Sequence, residues 1–141
     1  MRYVLDSSVA VKCVLTEADS DKAIRLRDAA RGAIHSLLAP DVFPIEAGHA
    51  LTRAERQLRI TPPNGWIAWR AILSDCPQLH SSLSLMPRAY AISSSMRVGI
   101  YDCLYVALAE REGCEFITAD DKLIKNLQSK FPFVISLASM P

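Results

Sequence analysis

Four acidic side chains occupy positions where a carboxylate has chemical work available. Asp6 closes the strand-forming run Arg2-Tyr3-Val4-Leu5, and Glu46 follows Pro44 by two residues. Asp102 interrupts the apolar string Ile100-Tyr101-Asp102-Cys103-Leu104-Tyr105-Val106-Ala107, and Asp120 follows Phe116-Ile117-Thr118-Ala119. His35, His49 and His80 show no metal-ligand spacing, and Cys13, Cys76, Cys103 and Cys114 form no CxxC pair, so a zinc site is not expected. Oxygen donors alone suit a hard cation, Mg²⁺ or Mn²⁺. Such ions activate water and stabilise the charge that builds during phosphodiester hydrolysis, singly or as a pair about 3.5–4 Å apart.

The elements that carry these acids decide whether they meet. Arg2 to Asp6 reads as a strand, Val9 to Leu15 as a short helix, and Asp19 to about Leu38 as a long one. Leu37 to Ala39 is a weak second strand, and Pro44 opens a helix to about Arg59. Thr61-Pro62-Pro63-Asn64-Gly65 reads as a break, followed by a helix from Trp66 to about Ser74. Cys76 to Leu85 is ambiguous, and Pro87 to Met96 reads as helix. Ile100 to Glu112 is a helix apolar nearly all round, hence buried, and Gly113 ends it. Glu115 to Thr118 and Phe133 to Leu137 read as strands, with a helix starting at Asp120 between them.

This alternation predicts an α/β fold, a three-layer sandwich with a short, mostly parallel, twisted sheet flanked by helices. In a parallel sheet Asp6 and Asp120 then reach the edge where the strands' C-terminal ends point. Glu46 starts from the same edge, in the first turn of the helix leaving the second strand. The Asp102 helix runs antiparallel to the sheet to feed the bottom of strand Glu115–Thr118, so its first turn is also at that edge. Open α/β sheets bind their ligands there. Two unit charges about 4 Å apart repel by about 4 kcal/mol at an effective dielectric near 20. Convergent acids must therefore hold protons or a cation. Each acid alone has an ordinary reading: Glu46 and Asp102 complement helix dipoles, Asp120 caps a helix, and Asp6 caps a turn. A carboxylate amid the apolar residues around Asp102 nevertheless needs a partner.

The composition sets outer bounds. At 141 residues, half of them hydrophobic, the chain is expected to be one domain, residues 1–141. The formal charge of +1 excludes a global polyanion attraction, so any basic footprint is local. The N-terminus lacks the apolar core of a signal peptide, and the longest apolar run, Cys103 to Ala109, is too short to cross a bilayer. A cytoplasmic location with reduced thiols is the expectation.

The strings Tyr3-Val4-Leu5-Asp6-Ser7-Ser8-Val9, Pro44-Ile45-Glu46-Ala47, Tyr101-Asp102-Cys103-Leu104-Tyr105-Val106-Ala107-Leu108-Ala109-Glu110 and Phe116-Ile117-Thr118-Ala119-Asp120 together resemble the PIN-domain family. Within it the likeness is to the VapC-type toxins of prokaryotic toxin–antitoxin pairs. The resemblance implies a magnesium-dependent endoribonuclease with Asp6 and Asp102 as leading metal ligands. Glu46 and Asp120 would complete the acidic pocket, and Ser8 and Thr118 would support it through hydroxyl hydrogen bonds. It also implies a homodimer, an RNA substrate and a small antitoxin that blocks the site. Ser8 stands where many relatives carry Asn, and Asp121 adjoins Asp120 as a first-turn acid.

Competing readings are an RNA-processing nuclease of the same fold without an antitoxin, and an inactive RNA- or protein-binding module. A phosphatase with an aspartyl nucleophile at Asp6 is another, although Ser8 replaces the second acid usual there. Arg53, Arg56 and Arg59 make either a phosphate-contacting stripe or a solvated helix face, and Lys122, Lys125 and Lys130 pose the same choice. Trp66 and Trp69, three apart, suit packing in a core or dimer better than base stacking.

Overall fold

A computed structural model describes all residues, Met1–Pro141. The elements run β1 (Arg2–Leu5), α1 (Ser7–Val14), α2 (Ser20–Arg31), β2 (Ser36–Pro40), α3 (Phe43–Arg56), α4 (Pro62–Ser74) and β3 (Gln78–His80). There follow α5 (Ser82–Met96), α6 (Ile100–Glu112), β4 (Glu115–Thr118), α7 (Asp121–Leu127), β5 (Val134–Ser136) and a single 3₁₀ turn, Leu137–Ser139. The five strands pair in the order β3-β2-β1-β4-β5, and every pair is parallel. The sheet is thus wholly parallel, in keeping with the α/β sandwich expected.

Both faces of the sheet are covered, as a parallel sheet requires. Val4 lies in register with Phe116 and Leu38, so these three share one face. Phe116 stacks there on Tyr105 of α6, ring centroids 5.4 Å apart. On the opposite face Leu5 and Leu37 meet Val9 and Val14 of α1, Leu26 of α2 and Ile72 of α4. The apolar string of α6 is buried from Cys103 to Ala109, which explains why that helix shows no polar stripe. Gly113 then leaves the helix at φ +63°, a left-handed conformation that glycine adopts without steric cost.

Three stretches differ from expectation. The second helix stops at Arg31, not near Leu38, because the chain turns through Gly32 and a left-handed Ala33 (φ 59°) to reach β2. Pro62 and Pro63 open α4 instead of breaking the chain: proline suits the first helical turn, and the Thr61 hydroxyl accepts from the Asn64 N–H as cap. The ambiguous stretch resolves into the edge strand β3 and the start of α5. Pro87 lies inside that helix, and the carbonyl it leaves free belongs to Leu83, which is 82% exposed and open to water.

Strands β1, β2 and β3 progress toward one edge of the sheet, whereas β4 and β5 progress toward the other. The direction reverses between β1 and β4, which are neighbours. A crevice opens at such a switch point, above the C-terminal ends of the two strands. Thr118 ends β4 there, and Asp6 follows the last residue of β1.

Candidate active site

Asp6 follows β1 directly, and its backbone N–H donates to the Ile117 carbonyl of β4 at 3.0 Å, extending the ladder by one bond. Its side chain is buried, 6% exposed. The Thr118 hydroxyl donates to Asp6 Oδ2 at 2.6 Å and the Ser8 hydroxyl to the same oxygen at 2.9 Å. Each hydroxyl also accepts from the chain beyond β4: Ser8 from the Ala119 N–H at 3.1 Å, Thr118 from the Asp120 N–H at 3.0 Å. Two side chains thus tie Asp6 to the β4–α7 turn and leave Oδ1 without a protein donor. Ser8 and Thr118 thus make hydroxyl hydrogen bonds to Asp6.

Glu46 lies in the first turn of α3, and the Tyr105 hydroxyl donates to its Oε1 at 2.7 Å. Tyr105 is fully buried on α6, so its hydroxyl depends on this partner. Asp102 lies in the first turn of α6, half-buried, and makes no hydrogen bond to protein. Asp120 is the exposed N-cap of α7, its Oδ1 accepting from the Lys122 and Leu123 N–H groups at 3.0 and 3.1 Å. Its ordinary capping role is therefore real, and it occupies one oxygen of the two. Asp121, exposed, begins α7.

The electrostatics tie the four acids together. Burial raises the Asp6 carboxyl above its usual range against the pull of the Thr118 and Ser8 hydroxyls, and the charge of Asp120 adds to the rise. Burial pushes Glu46 up to about 7; the Tyr105 hydrogen bond opposes this, while Asp6 and Asp102 reinforce it. Asp102 is pushed up to about 6 by burial, then by the charges of Asp6 and Asp120. Asp6, Glu46 and Asp102 thus each feel the charge of another acid of the set. They are nonetheless not drawn into a closed cage, since no three His, Cys, Asp or Glu side chains are gathered as ready metal ligands. The pocket is an open acidic floor with carboxylate oxygens free of protein donors.

Tyr105 is a further residue of the site, and the sequence motif carries it without a role. It lies one helical turn after Asp102, and a tyrosine in an otherwise apolar buried helix calls for a polar partner on its hydroxyl. Ser7, buried beside Asp6, and His49 and Tyr101 also line the pocket around Glu46. The arginine stripe does not form: α3 ends at Arg56, and Arg59, beyond a left-handed Leu58 (φ 59°), pairs with Glu17 at 3.1 Å. Trp69 donates its indole N–H to the Pro44 carbonyl at 2.9 Å and stacks on Trp66 at 5.3 Å. It packs over Gly48, where a Cβ would meet the indole at 3.4 Å, so it fastens α4 to the start of α3. Trp66 itself is 60% exposed.

A wholly parallel five-stranded α/β domain with hard-oxygen acids gathered at its switch point is the class that fold and site define. The PIN domain pattern matches residues 3–128, and the chain belongs to the PIN-domain family. Ribonuclease VapC3 of Mycobacterium tuberculosis is 31% identical over 124 residues, covering 88% of this chain and 86% of that one. Ribonuclease VapC3 of Pyrobaculum aerophilum is 27% identical over 143 residues, covering 96% and 99%. The crystal structure of PAE2754 from Pyrobaculum aerophilum superposes with a TM-score of 0.71 at 21% identity, covering 99% of this chain and 94% of that one. VapBC2 from Rickettsia felis, bound to a DNA fragment from their promoter, gives 0.65 at 13% identity, covering 96% and 97%. These structural likenesses speak for the fold. No helix is long and apolar enough to cross a membrane.

Proposed function

We propose that this chain is a metal-dependent endoribonuclease, the toxin of a VapBC-type toxin–antitoxin pair, working as a homodimer in the cytoplasm and blocked by a small antitoxin. The observation that supports the reading is that Asp6, Glu46, Asp102 and Asp120 all stand at the switch-point end of their elements, where burial and neighbouring acids raise the carboxyls of Asp6, Glu46 and Asp102. The relatives named Ribonuclease VapC3 support the activity and the toxin role. A structural neighbour described as VapBC2 supports an antitoxin partner.

The donor set fits Mg²⁺ or Mn²⁺ by chemistry. Carboxylates and hydroxyls dominate the donor set, with His49 the one imidazole nearby, and the hydrogen bonds to Asp6 and Glu46 each engage one carboxylate oxygen, Oδ2 and Oε1. An open set suits Mg²⁺, which keeps several waters and binds through one or two carboxylates. Asp6 and Asp102 would hold the ion, with Glu46 and Asp120 closing the pocket. The bound ion would lower the pKa of the attacking water and offset charge on the phosphate. The chain's own residues do the rest. Ser8 and Thr118 fix the rotation of Asp6 through a shared oxygen, and Tyr105 fixes Glu46. Glu46, with a carboxyl near neutrality, can accept or return a proton at working pH.

The test is cleavage of single-stranded RNA by purified protein, expected with Mg²⁺ or Mn²⁺ and abolished by EDTA. Asp102→Asn should fold and cleave nothing. Full activity in chelator, or rescue by zinc alone, would overturn the metal mechanism. Expression of the wild-type chain alone should arrest growth, whereas Asp6→Asn or Asp102→Asn should not. A wild-type chain harmless at high expression would refute the toxin role.

A further inference from the structure

A second feature adjoins the acidic pocket and is chemically its opposite. A groove of about 450 Å³ runs between α1 and α3 and ends on the β4–α7 turn. Its acidic end holds Ser7, Ser8 and Asp120, which belong to the pocket already described. Lys12 of α1 and His49 and Arg53 of α3 line its flanks, with the Arg59–Glu17 pair at the far end. Lys12 and Arg53 differ from Arg59 in having no carboxylate: neither makes an ion pair or a side-chain hydrogen bond. Seven of the chain's other arginines are paired, among them Arg2 with Glu112, Arg31 with Asp75 and Arg88 with Glu110.

Two unpaired cations facing one groove beside an acidic floor pose an electrostatic question. A polyanion that approaches four carboxylates is repelled, and the chain's net charge of +1 offers no general attraction to offset this. Compensation has to be local and must touch the strand next to the reacting phosphate. Lys12 and Arg53 stand there, on elements that also carry pocket residues. Lys12 lies one helical turn beyond Ser8 on α1, and Arg53 lies two turns beyond Glu46 on α3. Both helices therefore lead from the acids along the groove.

We propose that this groove is the phosphate track of the substrate, in which Lys12 and Arg53 hold successive backbone phosphates of a single RNA strand next to the bond that is cut. The inference rests on the ribonuclease reading above. Both are positioning residues: they neutralise the strand and seat it, and neither reaches the reacting atoms. Arg56, on the same helix but outside the groove, takes no part.

The experiment is steady-state cleavage of single-stranded RNA in Mg²⁺ across a series of KCl concentrations, comparing wild type with Lys12→Ala/Arg53→Ala. The double variant should raise KM about tenfold and leave kcat within about twofold; its log(kcat/KM) should fall with log[salt] less steeply by about 1.4, the loss expected for two single-strand phosphate contacts. Arg53→Lys keeps the charge and should restore most of the KM. Lys125→Ala and Arg70→Ala, unpaired cations outside the groove, should change neither KM nor slope. The double variant should melt with wild type, since Lys12 is only half-buried and Arg53 is exposed. The proposal is overturned if the double variant keeps the wild-type KM and salt slope, because the RNA strand would then not run along the groove. It is equally overturned if the two control variants shift both quantities as much. A wild-type protein that cleaves no RNA in any metal sinks the ribonuclease reading itself, a result distinct from either of these.

Discussion

Replacing Asp102 with asparagine in the metal-free protein isolates the energetic consequence of gathering the acids. Asp102 makes no hydrogen bond to protein, so Asn forfeits no partner and keeps the shape. Burial, then Asp6 and Asp120, push the Asp102 carboxyl from 3.8 up to about 6. The sign follows directly. A folded-state pKa above the unfolded value means the native state binds the proton more tightly, so stability falls as pH rises from about 4 to about 6 and stays low above that. The full shift would correspond to about 3 kcal/mol. Asp102 is half exposed, and solvent screening reduces this to about 1–2 kcal/mol. Against it stands the favourable effect of a negative charge in the first turn of α6, about 0.3–1 kcal/mol, which Asn also loses.

The balance is a gain of about 1 kcal/mol for Asp102→Asn at pH 8, or roughly 3–5 °C in Tm for a domain of this size. At pH 4 the wild-type carboxyl is already protonated and the two proteins should melt together. Thermal melts by circular dichroism in EDTA at both pH values decide the matter. A variant that melts lower than wild type at pH 8 would refute the reasoning, because Asp102 would then have a structural partner. An equal gain at pH 4 and pH 8 would refute it too, because the effect would not be electrostatic.

Mg²⁺ in excess should raise the wild-type Tm at pH 8 but barely at pH 5, since protons on Glu46 and Asp102 compete with the ion below about pH 6–7; no Mg²⁺ shift at pH 8 would count against the site. Tyr105→Phe removes the only hydroxyl donating to Glu46, so the acid limb of the pH–rate profile should move to higher pH, with about 1–2 kcal/mol lost from stability. An unmoved limb would detach Tyr105 from Glu46. Thr118→Val keeps the volume but deprives Asp6 Oδ2 and the Asp120 N–H of a partner; urea unfolding should show a loss of about 2–3 kcal/mol. A loss below about 0.5 kcal/mol would mean water replaces the hydroxyl.

The order of elements was legible because it rests on properties that travel with the residues. Strand formers end on Asp6, an apolar helix ends on Gly113, and strands alternate with helices; from these alone the acids fall at one sheet edge. The misjudged stretches share a different cause. Proline is ambiguous until its position within a turn is known, so Pro62-Pro63 read as a break although it starts a helix, and Pro87 read as a start although it lies inside one. Ala33 occupies a left-handed conformation that no residue preference announces, which hid the end of α2. Tyr105 escaped because its partner is 59 residues away in sequence, and only the packing of α6 near α3 brings the two together.

Asp120 shows why ordinary and functional readings of one residue need not compete. A carboxylate has two oxygens, and the cap uses only Oδ1, which accepts from two N–H groups of α7. Capping fixes the side chain against rotation, which a site acid also needs. The same economy governs Asp6, where both hydroxyls converge on Oδ2 and leave Oδ1 free. Asp102 has no such tether, and its charge is held in place by the rigidity of α6 alone, a helix buried from Cys103 to Ala109. The site thus combines three carboxylates held by hydrogen bonds, those of Asp6, Glu46 and Asp120, with one held by packing alone. Asp102 is therefore the acid whose charge can be removed at least structural cost, which makes its removal the cleanest test of the proposed catalytic role apart from folding.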